Sequence, residues 1–580
     1  MKFSEVTEYF ERLDNTSSRL EMAQILYELF SKTPLEDIQN LIYFCQGKIG
    51  PVYKGKEINI GQATIISLIA RYLGQPESTV KDKYSKLGDL GLVIDQSELK
   101  NKQNTLFSKE LSFQEVYFIL DKISEINGKG TIEKKIKLFE SILFNSNKIS
   151  AKYIVRFPIS FRLGFSNSTI VDALSFLDTS YDQKEGKKIL SSKFDMISDL
   201  GLLAKKVKEK GINEIKDLEI LPFVPIKSAL CERAKDFNEI KERLSGKENK
   251  QFIIDSKIDG FRQQIHKFGD TIKIFSRNEE EITTMFPDIV NEIKKIPKDF
   301  IIDCEAIAYD QENKKYHNFQ ITMQRKRKYD ITEKSKELPL HIKVFDVLYF
   351  DNKELVNTSN LERRKIVEKY FNQPPIIQPT EVLITNLVEE LEKFFKTRLG
   401  EGLEGIIAKD IDSSYKAGSR GFNWIKYKKS YNSATDTIDA VIVGAFYGQG
   451  KRSDKGVGAL LMGIFDEVTN KYYTIAKLGS GLTDEILIEL ANRFEFLKIP
   501  TKPNNLVSNL EADFYVNPEI VVEINYDDIT DSSVHTVCYN QKINQGLALR
   551  FPRFVKFRTD KSANQTTSQE EVKRLYSLQK

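Results

Sequence analysis

The sequence predicts a multidomain protein with an all-α N-terminal region, a central α+β region and a C-terminal β-barrel. The chain has 580 residues, which is more than one hydrophobic core holds and predicts about three or four domains. Apolar residues recur at helical spacing up to about residue 215, and short strands that end in charged residues follow up to about residue 430. Strands separated by glycine-rich turns fill the rest. We therefore place the domain limits at 1–215, 216–430 and 431–580.

The N-terminal region is predicted to be helical. Its clearest helix is SSRLEMAQILYELFSK at residues 17–32, where Ser18 and Glu21 form a candidate capping box. Apolar residues recur along it at helical spacing: Met22, Ile25, Leu26, Leu29 and Phe30. No cluster of catalytic type occurs in this region, so we interpret it as a helical scaffold with basic loops.

The central region repeats one arrangement, a brief strand that ends in polar or charged residues. The repeats are QFIIDSK (251–257), TIKIFSRN (271–278), FIIDCEAIAYD (300–310), HIKVFDVLYFD (341–351) and EGIIAKD (404–410). Because several strands deliver carboxylates, lysines and arginines to one edge, we expect a ligand to bind there. In the C-terminal region, glycine-rich turns separate strands such as IDAVIVGAFYG (438–448) and EIVVEINY (519–526), which predicts a small barrel.

The composition, 40% hydrophobic and 29% charged, is that of a globular protein. The chain has no run of about 18 apolar residues, so we expect no membrane span. Its start, MKFSEVTEYFERLDN, lacks the apolar stretch of a signal peptide. The cysteines are dispersed, without C-x-x-C spacing: Cys45, Cys231, Cys304 and Cys538. We therefore expect a cytoplasmic protein with neither a disulfide framework nor a zinc site.

The net charge of +4 is too small to indicate a nucleic-acid binder, but the charge is unevenly distributed. Residues 550–580 contain eight Lys or Arg and three Asp or Glu, a local charge of +5. A second basic cluster, QRKRK, lies at residues 324–328. Both clusters fit contacts with phosphate groups, and both fit solvated charged segments equally well.

Lys257 stands at the end of an apolar strand in the segment IDSKIDGFR. The segment by itself favours a simple interpretation, a hairpin lysine whose stem packs while its ammonium reaches water. The other interpretation is a nucleophile. An ordinary lysine has a pKa of about 10.4 and attacks only after desolvation or neighbouring cations lower that pKa. Asp255 and Asp259 would act in the opposite direction, so a nucleotide, a metal ion or other lysines must shift the balance.

The segment KIDGFR also fits the K-x-D-G-x-R motif of the covalent nucleotidyltransferases, which comprise DNA ligases, RNA ligases and mRNA capping enzymes. Further segments resemble the remaining motifs of that superfamily in the right order: SRN (276–278), DCE (303–305), VFDVLYFD (344–351), EGIIAKD (404–410) and WIKYKKSY (424–431). Three more resemble the archaeal and eukaryotic replicative ATP-dependent DNA ligases: AGSRGFNW (417–424), GAFYGQGKR (444–452) and ALRFPRFVKFRTDKS (548–562). Together the motifs span residues 255–561.

The N-terminal half resembles the same branch. SSRLEMAQILYELF and FRLGFSNSTIVDAL (161–174) are similar to its helical DNA-binding domain, and VPIKSAL (224–230) is similar to the start of its catalytic core. Ser228 and Ala229 depart from the residues usual there. The resemblance implies three domains: a helical DNA-binding domain, an ATP-grasp-like nucleotidyltransferase domain and an OB-fold domain.

The resemblance implies an ATP-dependent DNA ligase that seals nicks in double-stranded DNA during replication, repair and recombination. It implies a lysyl-AMP intermediate, ATP, and Mg²⁺ or another divalent cation. It implies nicked double-stranded DNA as the substrate and a monomeric enzyme without membrane contact, with a sliding clamp as a further candidate partner.

The resemblance also assigns roles to individual residues. Lys257 is the nucleophile, and Asp255 contacts the adenine where the family usually has a glutamate. Phe345 stacks on the purine, Glu305 contacts the ribose or a metal ion, and Glu404 binds a metal ion. Arg262 and Arg277 contact phosphate or ribose. The cations that hold the ATP phosphates are Arg420, Lys426 and Lys428. The last motif supplies cations for the pyrophosphate: Arg550, Arg553, Lys556, Arg558 and Lys561. Two positions depart from the family: arginine is common at Lys556, and proline is frequent at Ser533.

Structural alternatives remain open for several of these residues. Phe345 fits a core aromatic, Glu305 and Glu404 fit strand-end carboxylates paired with a nearby lysine, and Lys426 with Lys428 fit a solvent-facing strand. Other enzyme classes also remain. A capping enzyme uses GTP and needs no long helical domain, and an RNA ligase shares the core motifs. An NAD-dependent ligase carries a four-cysteine zinc element, and a non-catalytic DNA-binding relative lacks the lysine.

Overall fold

The computed structural model describes most of the chain. The described residues are 1–98, 110–128, 130–161, 163–246, 249–317, 319–327, 330–372, 375–428, 437–448, 456–499, 501–541 and 543–579. Parts of the predicted segments WIKYKKSY, GAFYGQGKR and QRKRK lie outside them. The chain divides into two compact units, Met1–Ile65 with Gln103–Tyr431 and Ile66–Lys102 with Asn432–Lys580.

The N-terminal part is helical. Its helices are α1 (Phe3–Asp14), α2 (Arg19–Lys32), α3 (Leu35–Cys45), α4 (Gln62–Leu73), α5 (Glu77–Leu87), α6 (Leu90–Asp95), α7 (Phe113–Glu125), α8 (Ile132–Leu143), α9 (Lys148–Ser160), α10 (Asn167–Ser175), α11 (Gln183–Met196), α12 (Leu200–Lys210) and α13 (Asn213–Lys216), with a 3-10 turn at Val52–Lys54. Ser18 caps α2 as predicted, because its side chain accepts a hydrogen bond from the Glu21 N–H. The predicted capping box is half formed, since the Glu21 carboxylate accepts a hydrogen bond from the Thr16 hydroxyl instead.

Aromatic side chains build the core of these helices. Phe44 on α3 contacts five other rings, those of Phe3, Phe10, Phe113, Phe157 and Phe161. These rings come from α1, α7, α9 and the segment after α9, so one residue ties together helices that are far apart in sequence. Each buried ring removes a large apolar area from water, which stabilises the bundle.

The central part contains two sheets and flanking helices. Its elements are β1 (Leu230–Arg233), α14 (Phe237–Ser245), β2 (Phe252–Lys257), β3 (Phe261–Phe268), β4 (Thr271–Ser276), α15 (Pro287–Ile293), β5 (Phe300–Asp310), β6 (Lys315–Tyr316), α16 (Phe319–Met323), α17 (Ile331–Glu337), β7 (Leu340–Phe350), β8 (Lys353–Glu354), α18 (Asn360–Tyr370), β9 (Ile377–Pro379), β10 (Val382–Thr385), α19 (Val388–Gly400), β11 (Gly405–Asp410) and β12 (Arg420–Lys428), with a 3-10 turn at Thr283–Met285.

The first central sheet has the strand order β1-β12-β11-β2-β10, and the second has β4-β3-β5-β7-β8 with β6 and β9 at its sides. Trp424 of the first sheet and Ile301 and Leu348 of the second belong to one buried apolar cluster. The two sheets therefore share a core, and the motif residues of both are brought to it.

The C-terminal part is rich in strands. Its elements are β13 (Thr437–Phe446), β14 (Ala459–Asp466), β15 (Lys471–Leu478), α20 (Asp484–Leu497), β16 (Lys498–Ile499), β17 (Leu506–Val507), β18 (Phe514–Val516), β19 (Val521–Asn525), β20 (Asp528–Ser532), β21 (Val537–Asn540), β22 (Gln545–Arg550), β23 (Arg553–Phe557) and α21 (Gln569–Leu578). They form an eight-stranded and a three-stranded curled sheet. Val572 and Leu575 of α21 belong to the core between these strands. The predicted order of helical, α+β and β-rich regions is confirmed.

No helix within the described ranges is long and apolar enough to cross a lipid bilayer. The four cysteines are free, as predicted from their spacing. The basic cluster QRKRK is only partly a surface feature, because Arg325 is buried and donates two hydrogen bonds to Asp288 at 2.7 and 2.9 Å. Lys326 of the same cluster pairs with Glu280.

Gln263 and Gln264 on β3 form a natural pair for a stability test. Both are buried, but neither side-chain amide atom of Gln263 has a hydrogen-bond partner among the residues that the structure describes. Gln264 accepts a hydrogen bond from the Ile226 N–H and donates to the Ile226 carbonyl. We expect Gln263→Met to raise the free energy of unfolding by about 1–3 kcal/mol and Gln264→Met to lower it by a similar amount. Urea unfolding of the two variants measures both changes, and two changes of the same sign would contradict this prediction.

His266 makes the stability depend on pH. The residue is buried on β3, and burial lowers its pKa to about 3. An unfolded histidine has a pKa of about 6.5, so the unfolded chain binds a proton that the folded chain excludes. The stability is therefore complete above about pH 6.5 and falls at lower pH by about 1.4 kcal/mol per unit.

Between pH 7 and pH 5, we expect the free energy of unfolding of His266→Gln to fall by about 2 kcal/mol less than that of the natural sequence. Denaturant unfolding at the two pH values measures this difference. Equal losses in the variant and the natural sequence would contradict the prediction.

Candidate active site

Lys257 is the last residue of β2, at the end of a strand whose other residues are buried. Its backbone faces Gly405 on β11, and its carbonyl accepts a hydrogen bond from the Glu404 N–H at 3.0 Å. The start of EGIIAKD is thereby fixed beside the lysine of KIDGFR. The side chain of Lys257 is 19% exposed, so its ammonium can be reached from solvent.

The Glu404 carboxylate lies between two ammonium groups. One oxygen pairs with Lys257 and the other with Lys428. This is the pairing of a strand-end carboxylate with nearby lysines that the sequence left open as a structural alternative. The Glu404 carboxylate thus balances the charge of the Lys257 and Lys428 ammonium groups.

Two motif glycines stand where a side chain does not fit. A Cβ on Gly260 would lie 2.5 Å from the Ala306 carbonyl oxygen and 2.7 Å from a side-chain carbon of Glu305. A Cβ on Gly405 would lie 2.1 Å from the Tyr427 carbonyl oxygen. These contacts are far closer than atoms can approach. The glycines therefore let β3 pass close to β5 and let β11 pass close to β12, which brings Glu305 and Glu404 to Lys257.

Arg262 is held by a buried carboxylate that the sequence did not single out. Its guanidinium donates to Asp303 at 2.7 Å, and Asp303 also accepts a hydrogen bond from the Tyr415 hydroxyl at 2.6 Å. Burial lowers the pKa of Arg262 and the charge of Asp303 raises it, with a net shift upward. Asp303 stands inside the motif DCE, but the sequence analysis assigned it no role, and no motif marked Tyr415.

Glu305 on β5 is the cross-strand partner of Arg262 on β3. Desolvation raises the pKa of Glu305 to about 7, while the charges of Lys257 and Arg262 act in the opposite direction. Asp259 raises this pKa and Arg277, which is exposed, lowers it. Three of the predicted cations therefore lie near enough to Glu305 to act on its charge: Lys257, Arg262 and Arg277.

Phe345 is a partly exposed ring at a bulge in β7. The guanidinium of Arg262 and the ammonium of Lys409 each lie 5.1 Å from its centroid. The Trp424 ring packs edge-on to it at 6.2 Å. Phe345 is therefore only partly a core aromatic, and it keeps a surface on which a planar group can stack.

Asp255 is almost completely buried, at 2% exposure. Its carboxylate pairs with Lys409 at 2.5 Å, accepts a hydrogen bond from the Thr380 hydroxyl at 2.5 Å, and lies 3.6 Å from Arg364. Lys409 belongs to the motif EGIIAKD, but sequence reasoning assigned it no role. The carboxylate of Asp255 is thus enclosed by protein partners rather than open to solvent.

The remaining predicted phosphate ligands lie on β12. Lys426 and Lys428 alternate with Ile425 and Tyr427, which are buried, so both lysines share the more exposed face as predicted. Lys428 reaches Glu404. Arg420 begins the strand and pairs through its backbone with Leu230, and its side chain lies outside the described part of the structure.

The cations of the last motif lie in the C-terminal unit, and each is bound or stacked within that unit. Arg553 pairs with Asp527, and Lys556 lies 3.5 Å from Glu523. Arg558 and Lys561 pair with Asp439. Arg550 ends β22, with its guanidinium 5.2 Å from the Phe551 ring. Ser533 is exposed in the segment after β20.

Three family profiles match this chain in the order of its regions. They are "DNA ligase N terminus" at residues 2–175, "ATP dependent DNA ligase domain" at residues 230–428 and "ATP dependent DNA ligase C terminal region" at residues 453–561. The probable DNA ligase of Dictyoglomus turgidum is 37% identical over 585 residues, covering 100% of this chain and 98% of that protein. The DNA ligase of Saccharolobus solfataricus is 36% identical over 596 residues, with 100% and 98% coverage. This chain belongs to the ATP-dependent DNA ligases.

The solved structure Pmar-Lig_PreS3 is similar to this chain, with a TM-score of 0.56 and 18% sequence identity. The match covers 95% of this chain and 99% of that one. This likeness concerns the fold. Together with the profiles, it confirms the predicted succession of helical, nucleotidyltransferase and strand-rich domains. The predicted DNA ligase function is confirmed at the level of the family, and nothing supports the capping enzyme or RNA ligase alternative.

ATP-dependent DNA ligases use ATP and a divalent metal ion such as Mg²⁺, and the side chains around Lys257 fit that ion. Glu404 and Glu305 supply carboxylate oxygens, and both act electrostatically on Lys257. Among the described residues, no group of three or more His, Cys, Asp or Glu side chains converges on one point. Mg²⁺ normally takes one or two carboxylates together with substrate phosphates, so two carboxylates without a closed cage match its preference.

Proposed function

We propose that this chain seals nicks in double-stranded DNA through an adenylyl group carried on Lys257, in replication, repair and recombination. The observation that carries the proposal is the position of Lys257 at the end of β2, with its ammonium on Glu404. Glu305, Arg262 and Phe345 surround the same strand end and offer a carboxylate, a cation and an aromatic face for a nucleotide.

In the first step, Nζ of Lys257 attacks the α-phosphorus of ATP. A phosphorus–nitrogen bond forms, the bond to the bridging oxygen breaks, and pyrophosphate leaves. The attacking amine has to lose a proton, and in this structure it is paired with the Glu404 carboxylate. Glu404 and Glu305 would hold a divalent cation, which would supply positive charge at the phosphoryl oxygens.

In the second step, an oxygen of the 5′-phosphate at the nick attacks the same phosphorus. The phosphorus–nitrogen bond breaks, and Lys257 leaves as an amine that takes up a proton. In the third step, the 3′-hydroxyl attacks the 5′-phosphorus, loses its proton and displaces AMP. Catalysis in all three steps rests on positioning and on stabilising charge at phosphoryl oxygens.

The residue roles follow the same pattern. Phe345 stacks on the adenine, Glu305 binds the ribose or the metal ion, and Glu404 binds the metal ion. Arg262 and Arg277 bind phosphate or ribose. The cations that hold the ATP phosphates are Arg420, Lys426 and Lys428. Asp255 serves the adenine site, and the buried pair that it forms with Lys409 supports a role in holding Lys409 beside Phe345.

The domain limits are proposed at 1–215 for the DNA-binding domain, 216–430 for the nucleotidyltransferase domain and 431–580 for the OB-fold domain. The enzyme is proposed to act as a cytoplasmic monomer on nicked DNA, with a sliding clamp as a candidate partner. Arg550, Arg553, Lys556, Arg558 and Lys561 are proposed to bind the pyrophosphate group during the first step.

The test is transfer of a labelled nucleotide to the protein. Purified protein is incubated with α-labelled ATP or α-labelled GTP and Mg²⁺, and the covalent adduct is resolved on a denaturing gel. We expect label from ATP that disappears when nicked DNA is added, with sealed DNA as the product. Label from GTP alone would support a capping reaction, and sealing without any labelled protein would overturn the proposal.

A further inference from the structure

Two carboxylates in the C-terminal unit stand directly opposite each other on neighbouring strands. Asp439 on β13 and Glu523 on β19 are cross-strand partners, and their side chains are 11% and 15% exposed. Like charges at such a position destabilise a sheet. The arrangement therefore requires cations, and the last motif supplies them.

Three cations of the last motif contact this acidic pair. Lys561 lies 2.6 Å and Arg558 lies 2.8 Å from the same oxygen of Asp439, Oδ2. Arg558 is also 3.7 Å from Glu523, and Lys556 is 3.5 Å from Glu523. The other oxygen of Asp439 is buried and has no hydrogen-bond partner among the described atoms. Asp439 thus binds cations with one oxygen while its second oxygen stays unsatisfied.

Three of the five N–H groups of the Arg558 guanidinium donate to carboxylates within this unit. Its Nη1 donates to Asp439, and its Nε and Nη2 donate to the Asp560 carboxylate at 2.9 and 2.7 Å. Guanidinium groups bind carboxylates and phosphates through the same planar, charge-assisted hydrogen bonds. A phosphate that binds Arg558 therefore competes with these carboxylates for the charge of the guanidinium.

We propose that Asp439 is a positioning residue for nucleotide transfer: its carboxylate holds Arg558 and Lys561 until the terminal phosphates of the nucleotide replace it. This inference rests on the proposed function, in which these cations serve the first step. The exposed Lys556, with a weaker pair to Glu523, is the cation most readily released.

The inference separates the first step from the later ones. The triphosphate is present only while Lys257 is being adenylylated, so competition with Asp439 affects the KM for ATP in that step. Sealing of a nick that already carries the adenylyl group uses no triphosphate. A purely structural role of Asp439 would instead slow both reactions together, because an unfolded C-terminal unit serves neither.

The experiment compares Asp439→Asn with the natural sequence. Asparagine keeps the shape and removes the charge. We expect the KM for ATP in self-adenylylation to fall about three- to tenfold, because each cation loses one charge-assisted partner that competes with the phosphates. The rate of sealing a pre-adenylylated nick should stay unchanged. Asp531→Asn, which alters an exposed carboxylate bound to the Tyr576 hydroxyl in the same unit, is the matched control and should change neither value.

An unchanged or higher KM in a folded Asp439→Asn protein would overturn the inference, as would equal slowing of both reactions. If Asp439→Asn does not fold, Glu523→Gln carries the test, with a smaller fall in KM expected and an unchanged KM overturning the inference. The failure of the proposed function and the failure of this inference can be distinguished. If the natural sequence forms no lysyl adduct with ATP, the proposed function is refuted. If the adduct forms normally and the KM of the variant is unaltered, only the role of Asp439 is refuted.

Discussion

Lys257→Ala is expected to abolish the covalent adenylyl adduct while leaving DNA binding nearly intact. The substitution removes the attacking nitrogen, and the described structure offers no amine in the same place, because Lys428 is bound to the other side of Glu404. The fold should persist, since a partly exposed ion pair contributes only about 0–1 kcal/mol. Mass spectrometry of the intact protein after incubation with ATP measures the adduct, and a gel-shift assay with nicked DNA measures binding.

Lys257→Arg is the matched control for charge. Arginine restores a cation opposite Glu404, but its guanidinium stays protonated and does not attack phosphorus. Both variants should therefore lack the adduct, and neither should seal a nick that requires ATP. An adduct on either variant would show that a different side chain is the nucleophile.

The positions of the motif residues could be predicted because they depend on local chain geometry. When the end of a strand can be read from the sequence, its last residue is expected at the edge of the sheet. Lys426 and Lys428 are two residues apart on one strand, so their side chains share a face. Gly260 and Gly405 stand at close approaches that tolerate no side chain. The strand ends and the alternating lysines depend on local chain geometry, and with the ordered motifs they predicted the fold class. The close approaches at the two glycines are visible only in the structure.

The partners of the charged residues could not be predicted, because pairing depends on contacts distant in sequence. Asp255 is enclosed by Lys409, Thr380 and Arg364, which are more than a hundred residues away. Arg325 is buried and paired with Asp288, although its basic cluster fitted either phosphate contacts or a solvated charged segment. Asp303 was visible in a motif, but its tie to Tyr415 follows only from packing between the two sheets.

Asp303→Ala is expected to cost about 3–5 kcal/mol of stability, because it leaves the buried charge of Arg262 without its partner. Asp303 is completely buried and accepts hydrogen bonds from Arg262, Tyr415 and Gln264. The same substitution should slow adenylylation of Lys257 even where the protein is folded, since it frees the guanidinium that lies beside Phe345 and across from Glu305. Denaturant unfolding gives the stability, and single-turnover labelling with ATP at low temperature gives the rate.

Asp288→Ala separates these two effects. It removes the carboxylate partner of Arg325, another buried arginine with two short hydrogen bonds, and should cost a comparable amount of stability. In the described part of the chain, Arg325 contacts none of the side chains grouped around Lys257, so the folded Asp288→Ala protein should label at the natural rate. Equal slowing in both variants would mean that Asp303 acts only through stability. Slowing in Asp303→Ala alone would mean that the strand pair β3 and β5 fixes Arg262 for the transfer of AMP.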